Sequence, residues 1–214
     1  GHGTAIEALA FSPDGAILAC GAKLQHVKGQ RITLWDTSTW RLIGTAKYPS
    51  EYMYDVVSVA FSPDGSLVAG GSSDCLVFVW HTKSRRRKYV LKGHKQRYAI
   101  NIQVAFTRDG KILITGGHQD GLVKFWDVAN GEELATLPGK NNAGVLRISP
   151  DGTRLLVARG ELQVWDVQER TKLTSWKGPS MLQGASWLPN GQHVLTTSYA
   201  VKAAEVWVGL SHFP

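Results

Sequence analysis

The sequence of 214 residues lacks the features that define several protein classes. Its only cysteines are Cys20 and Cys75, which excludes a disulfide framework and paired-cysteine zinc motifs. No apolar run approaches the roughly 18 residues that a membrane-spanning helix needs. The first residues also lack the basic and then apolar pattern of a signal peptide. We therefore expect a cytoplasmic protein without a membrane span.

Signatures of catalysis are missing as well. The sequence has no Gly-x-Ser-x-Gly nucleophile motif and no glycine-rich phosphate loop that opens a helix. Its seven histidines include no pair at metal-ligand spacing on a predicted helix. The sequence therefore predicts a protein that is not an enzyme, with no catalytic residue, no cofactor and no metal site.

Positive charge is in excess, with a formal net charge of +7. It clusters only at Arg85, Arg86, Arg87 and Lys88, between two predicted strands. A solvated hairpin turn is the simplest interpretation of such a charge run. The alternatives are a nucleic-acid or acidic-surface binding site, since binding to phosphates requires clustered cations, or a nuclear address.

A five-residue turn dominates the rest of the sequence. It occurs as FSPDG at 11–15 and 61–65, FTRDG at 106–110, ISPDG at 148–152 and WLPNG at 187–191. A tryptophan follows each copy, at positions 35, 80, 126, 165 and 207. Self-similarity at a period of about 40 to 50 residues is typical of a repeat architecture.

Each unit has the hydrophobic pattern of strands. In the second unit, apolar residues alternate at 57, 59 and 61, and the turn Ser62–Gly65 precedes a second apolar strand. A third strand, 76–80, is apolar on both faces, as expected between neighbouring sheets. Tyr89–Leu91 supplies a fourth strand. Four antiparallel strands per repeat, arranged radially, form a β-propeller.

These motifs resemble WD40 repeats. The periodic Trp-Asp dipeptide, the Gly-His pairs at 1–2 and 93–94, and the Ser-Pro-Asp-Gly turn carry the resemblance over the whole chain. It implies an all-β propeller with five blades in this chain. We place the blades at 1–50, 51–92, 93–138, 139–178 and 179–214, with the last strand of the fifth missing or truncated.

The resemblance also implies a structural hydrogen-bonded tetrad in the third unit. Its members are a histidine before the first strand, a hydroxyl of the second strand, an aspartate after that strand and the tryptophan of the third strand. They match His94, Thr115, Asp120 and Trp126. The other units depart from this pattern, and the first carries an insertion, Ala22 to Gln30.

The ends of the chain raise a question of closure. Residues 209–214 are barely enough for a strand, so we expect about 19 strands rather than 20. Members of the WD40 family usually have seven blades. We therefore expect the chain to be part of a larger propeller of six to eight blades. The alternatives are a ring completed by self-association of two copies and a five-bladed ring closed by the tail.

A protein-binding surface is the best-supported function. The connections before the first strand and after the second strand of each blade open on the same face, and loops on a rigid scaffold carry function. This places Tyr52, Met53, Tyr54, Arg97 and Tyr98 near His26 and Lys28. Tyrosine, methionine and arginine are enriched in interfaces.

We interpret the chain as a non-catalytic scaffold for protein–protein interaction whose partners cannot be read from the sequence. Two other functions remain open. One is the binding of nucleic acid or an acidic surface through the basic cluster. The other is a regulatory or sensor segment of a larger multidomain protein, for example one linked to a bacterial kinase.

Overall fold

A computed structural model describes residues 5–23, 30–47, 55–95, 102–118, 120–137, 144–159, 161–178, 182–198 and 204–208. These residues form 19 β-strands and no helix. Consecutive strands pair antiparallel and build five sheets in chain order. The prediction of an all-β, propeller-type architecture with 19 strands is confirmed for the described part of the chain.

The first four sheets have four strands each. Sheet 1 contains β1 (Ile6–Phe11), β2 (Ile17–Ala22), β3 (Gln30–Asp36) and β4 (Leu42–Lys47). Sheet 2 contains β5 (Val56–Phe61), β6 (Leu67–Ser72), β7 (Leu76–His81) and β8 (Arg87–Lys92). Sheet 3 contains β9 (Ile102–Phe106), β10 (Ile112–Gly117), β11 (Val123–Asp127) and β12 (Glu133–Leu137).

The last two sheets follow the same plan. Sheet 4 contains β13 (Val145–Ile148), β14 (Arg154–Arg159), β15 (Glu161–Asp166) and β16 (Lys172–Lys177). Sheet 5 contains, among the described residues, β17 (Leu182–Trp187), β18 (His193–Ser198) and β19 (Ala204–Val208).

The repeated five-residue turn joins the first two strands of each sheet, and its side chains explain its composition. The Ser62 hydroxyl donates to Asp64 Oδ1 at 2.6 Å and accepts from the Leu67 N–H at 2.9 Å. Gly65 closes the turn with a φ of 70°, which favours glycine. The Ser62 hydrogen bond, followed by those from Ser66, lowers the pKa of the Asp64 carboxyl. The turn is therefore a self-contained hydrogen-bonded unit.

The aspartate of the Trp-Asp dipeptide caps the turn between the third and fourth strands. In sheet 3, Asp127 Oδ1 accepts from the backbone N–H groups of Ala129 at 2.6 Å and Asn130 at 3.2 Å. The next residue, Val128, donates its N–H to the carbonyl of Lys111, which directly follows the five-residue turn. Sheets 1, 2 and 4 repeat this backbone bond. The turn and the dipeptide lie side by side in these sheets because this backbone bond joins them directly.

The core lies between neighbouring sheets. We call the face of a sheet that is turned toward the preceding sheet its back face, and the opposite face its front face. In sheets 2 to 5, the residue two positions before the five-residue turn packs on the preceding sheet. It is at most 9% exposed in each of these sheets. The residues at this position are Val59, Val104, Leu146 and Ala185. Burial of these apolar side chains holds the sheets together.

The two ends of the row of sheets are exposed. Leu9 and Phe11, on the back face of sheet 1, are 61% and 60% exposed. On the front face of sheet 5, Val206 is 53% exposed, whereas Leu34, Val79, Phe125 and Val164 at the equivalent position are at most 2% exposed. Within the described residues, sheet 5 has no contact with sheet 1 comparable to those between neighbouring sheets.

Candidate functional site

The first strand of each sheet begins, and the second strand ends, at the same edge, which we call the top edge. Backbone hydrogen bonds tie the two strand ends together there. In sheet 1 the Lys23 N–H donates to the Ala5 carbonyl at 2.9 Å. In sheet 2 the Ser73 N–H donates to the Asp55 carbonyl at 2.9 Å, and the Asp55 N–H donates to Ser73 Oγ at 3.0 Å. The connections at this edge thus start from anchored points.

Sheet 3 brings four polar side chains together at the top edge. The Trp126 indole N–H donates to Thr115 Oγ1 at 2.9 Å, and this oxygen lies 2.8 Å from His94 Nε2. His94 Nδ1 lies 2.9 Å from Asp120 Oδ2. Since indole is only a donor, every group is satisfied when the Thr115 hydroxyl donates to Nε2 and Nδ1–H donates to Asp120. The Lys95 N–H also donates to Asp120 Oδ2 at 3.1 Å.

Three of the four side chains in this network are buried. Thr115 is fully buried, and His94 and Trp126 are also buried. Burial by itself raises the pKa of the Asp120 carboxyl. The hydrogen bond from His94 and those from the backbone N–H groups of Leu122 and Lys95 act together against it, so that the pKa lies below its ordinary value. Because all four side chains are engaged with one another, the arrangement is built to hold the segment at His94 against the sheet.

A second polar group beside this network was not foreseen from the sequence. Lys124, on the central strand β11, is buried, and its Nζ donates to both carboxylate oxygens of Glu133 at 2.9 Å and to Thr136 Oγ1 at 2.7 Å. The ammonium also lies 5.9 Å from the centre of the Trp126 ring. The only signal in the sequence is a lysine at an inward position of an apolar strand.

Sheets 1 and 4 satisfy their tryptophans differently. In sheet 1 the Trp35 indole donates to Thr33 Oγ1 at 2.9 Å. In sheet 4 the Trp165 indole donates to Gln163 Oε1 at 3.1 Å. Both partners lie two residues earlier on the same strand, where side chains share a face. These local hydrogen bonds, which replace the four-residue network, were also not predicted from the sequence.

The residues predicted to form the binding surface are not placed by the structure. They lie outside the described residues, and the surface stays a prediction: Tyr52, Met53, Tyr54, Arg97, Tyr98, His26 and Lys28. Lys23, Asp55 and Lys95 border these segments in the chain, and each of them is hydrogen-bonded at the top edge.

The four residues of the basic cluster lie on two elements, and two of them contact neighbouring sheets. Arg85 and Arg86 lie in the turn, whereas Arg87 and Lys88 already belong to β8, which is longer than predicted. The Arg85 side chain reaches back to sheet 1, where a Cβ on Gly44 would be only 2.8 Å from Arg85 Cδ. Lys88 Nζ instead donates to the carbonyl of Val128 in sheet 3 at 2.8 Å. Only Arg86 and Arg87 stand in solvent without such a contact to a neighbouring sheet.

The described segments contain neither a cluster of metal ligands nor a membrane-crossing helix. In them, no group of three or more histidine, cysteine, aspartate or glutamate side chains converges as metal ligands would. These segments also contain no helix that is long and apolar enough to cross a membrane.

Comparison with protein families gives two matches. The family model described as "WD domain, G-beta repeat" matches residues 1–36, 49–81 and 85–127, together more than half of the chain. The model described as "Eukaryotic translation initiation factor eIF2A" matches residues 108–206.

Individual relatives show the same kinship at low identity. The chain is 24% identical to Protein tipD of Dictyostelium discoideum, with 92% of this chain and 39% of that protein covered. It is 29% identical to Small ribosomal subunit protein RACK1 of Caenorhabditis elegans, with 61% and 40% covered. The chain thus spans about two fifths of the length of these relatives.

A solved structure shares the fold. The structure titled "Structure of U3-55K" superposes with a TM-score of 0.79 at 23% sequence identity. The match covers 97% of this chain and 62% of that chain.

Proposed function

Because the chain belongs to the WD40-repeat family, we propose that it is a non-catalytic scaffold that binds other proteins. Fold alone does not determine function, so the site must supply the argument. The observation that carries the proposal is the top edge. In three successive sheets, hydrogen bonds anchor the chain where the connections leave the strands. A rigid base of this kind lets loops bind with little loss of conformational entropy.

The binding surface that we propose is the set of seven residues named in the sequence analysis. By connectivity, segments 24–29, 48–54 and 96–101 all join strands at the top edge. Aromatic residues and arginine are the commonest energetic centres of protein interfaces. The name of one relative, a ribosomal subunit protein, describes a component of a larger assembly. This agrees with a scaffold role.

We expect the double substitution Tyr52→Ala with Arg97→Ala to abolish capture of native partners, because it removes an aromatic and a cationic anchor from the proposed surface. The measurement is affinity capture from the native lysate, followed by mass spectrometry with quantitative comparison to the unsubstituted chain. Circular dichroism checks that the strands remain formed.

The matched control is Trp40→Ala with Lys83→Ala, which removes an exposed aromatic and an exposed cation from the opposite edge. Partners lost from the first variant and kept by the control support the surface. Capture of the same partners by both variants would exclude this face as the binding surface.

Self-association through the exposed ends is a second candidate. Every interface inside the chain joins the front face of one sheet to the back face of the next. The chain also presents an exposed back face at Leu9 and Phe11 and an exposed front face at Val206. A head-to-tail contact between copies would bury both with the same geometry.

Phe11→Ser is expected to lower the solution mass of any such assembly, because it places a hydroxyl in the apolar contact. Sedimentation velocity over a concentration series measures the mass. Leu134→Ser is the control, since Leu134 is exposed on the outer strand of sheet 3 and lies on neither end face. A chain that is monomeric at every concentration would contradict self-association.

A further inference from the structure

We propose that the top edge of sheet 2 binds a cationic side chain of a partner protein, the guanidinium of arginine or the ammonium of lysine, through the Asp74 carboxylate. The proposal rests on the proposed scaffold function and names the chemistry that the partner presents. It starts from a comparison of sheet 2 with sheet 3, where the equivalent carboxylate, that of Asp120, has a histidine partner within the chain.

Sheet 2 lacks the hydroxyl that completes the network in sheet 3. The register of the strands places Gly70 at the position of Thr115 and Ser72 at the position of Gly117. Gly70 has no side chain to bridge an indole and an imidazole. The fourfold arrangement of sheet 3 therefore has no counterpart in sheet 2.

Ser72 also prevents a carboxylate and an imidazole from taking the positions that they have in sheet 3. A Cβ on Gly117 would lie 2.0 Å from Asp120 Oδ1 and 2.8 Å from His94 Nδ1, closer than real Cβ contacts allow. Since Ser72 carries such a Cβ, the Asp74 carboxylate must be arranged differently. A network of the sheet 3 type is sterically blocked.

The consequence is visible in the hydrogen bonds of Asp74. Its Oδ1 accepts from the Leu76 N–H at 3.2 Å, but its Oδ2 is buried without a hydrogen-bond partner. The hydroxyl of Ser72 is also buried and unpartnered. Asp74 is 9% exposed and Ser72 is fully buried. A buried acceptor without a donor is costly, and binding a donor removes that cost.

The surrounding charge favours a cationic donor. Asp120 lies across the boundary with sheet 3, close to Cys75, the neighbour of Asp74 in the chain. Both Asp120 and Asp74 act on the thiol of Cys75, and burial together with these two carboxylates raises its pKa to about 11. The local field is therefore negative although the chain as a whole carries a net charge of +7.

A side-chain cation fits this place better than a metal ion. Hard metal ions require several oxygen ligands, and the described residues hold no cluster of three or more acidic, histidine or cysteine side chains. A guanidinium or ammonium can satisfy one carboxylate oxygen and one hydroxyl, and such charge-assisted hydrogen bonds are stronger than neutral ones.

N-acetyl-arginine amide is the probe, and N-acetyl-citrulline amide is its neutral counterpart of nearly the same shape. Amide chemical shifts of residues 72–76 are followed in NMR titrations of the unsubstituted chain and of three variants. We expect saturable shifts with the arginine probe only. Asp74→Asn should weaken its binding about tenfold or more, and Ser72→Ala should weaken it less, as losing hydrogen bonds to a charged group predicts.

Asp64→Asn is the control, since it makes the same change of charge at the opposite edge of sheet 2. It should leave the affinity unchanged. Equal binding of citrulline, or unchanged binding by Asp74→Asn, would overturn the proposal. Should Asp74→Asn fail to fold, unchanged binding by Ser72→Ala would overturn it as well. If Tyr52→Ala with Arg97→Ala still loses native partners while the arginine probe does not bind, the scaffold function stands and only the cationic ligand is wrong.

Discussion

Gly71→Ala is expected to lower the free energy of unfolding by about 3 kcal/mol or more, the upper range for overpacking a core. A Cβ at this position would lie 2.0 Å from the carbonyl oxygen of Ile102 and 2.9 Å from its carbonyl carbon. Both atoms belong to the backbone of β9, and Ile102 is fully buried between sheets 2 and 3. The clash can be relieved only by moving one sheet away from the other.

Urea unfolding followed by tryptophan fluorescence measures this loss. Gly184→Ala is the matched control, since it adds the same methyl group to a strand of sheet 5 and its nearest neighbour would be Thr197 Oγ1 at 3.3 Å. We expect the control to stay within about 1 kcal/mol of the unsubstituted chain. Equal midpoints for the two variants would show that sheets 2 and 3 are not packed as closely as described.

Asp120→Asn is expected to cost about 2 kcal/mol at neutral pH, the range for hydrogen bonds to a charged group. The substitution removes the charge that His94 and the Lys95 N–H face while keeping the size of the side chain. These contacts hold His94 and Lys95, so that the variant should also lose protection of the Lys95 amide from hydrogen exchange.

The pH dependence of this loss has a defined sign. The folded-state pKa of Asp120 lies below its ordinary value, because the hydrogen bonds from His94, Leu122 and Lys95 together outweigh the effect of burial. The stabilisation is therefore complete above the ordinary pKa and disappears as the pH falls through the folded-state pKa. We expect the two proteins to differ most near neutral pH and to converge in acid.

Urea unfolding at a series of pH values tests this. The control is Asp109→Asn, in the turn of the same sheet, because the fifth turn has asparagine at the equivalent position and Asn190 still accepts from the Gln192 N–H at 3.0 Å. A difference between Asp120→Asn and the unsubstituted chain that stays constant down to strongly acidic pH would contradict an ionised Asp120 in the network.

Much of the architecture could be predicted because its signals are local. The five-residue turn contains its own hydrogen bonds, such as that from Ser62 to Asp64, and the Trp-Asp aspartate caps a turn within three residues. Strand alternation in β7 correctly separates Phe78 and Trp80, which pack toward sheet 1, from Val77 and Val79, which pack toward sheet 3. Interactions between residues that are close in the chain can be predicted from a single sequence.

The details of the top edge were harder to predict because they depend on contacts across strands and sheets. Nothing near Lys124 in the sequence indicates that Glu133 and Thr136 on the next strand enclose its ammonium. The division of the basic cluster between sheets 1 and 3 likewise depends on Gly44 and on the Val128 carbonyl. These partners are separated from Arg85 and Lys88 by about 40 residues.

The sequence by itself determined that this chain is a row of stranded repeats, since a five-residue turn and a tryptophan recur in phase five times. In four of these repeats a backbone hydrogen bond joins the two marks. Only the tertiary structure decided how closely the polar groups of each repeat can pack. That outcome depends on single atoms: the missing Cβ of Gly117 admits Asp120 and His94 in sheet 3, and the Cβ of Ser72 excludes that arrangement in sheet 2. Whether a Cβ lies within 2 to 3 Å of neighbouring atoms depends on how the strands and sheets pack. The repeat pattern of the sequence does not specify this packing.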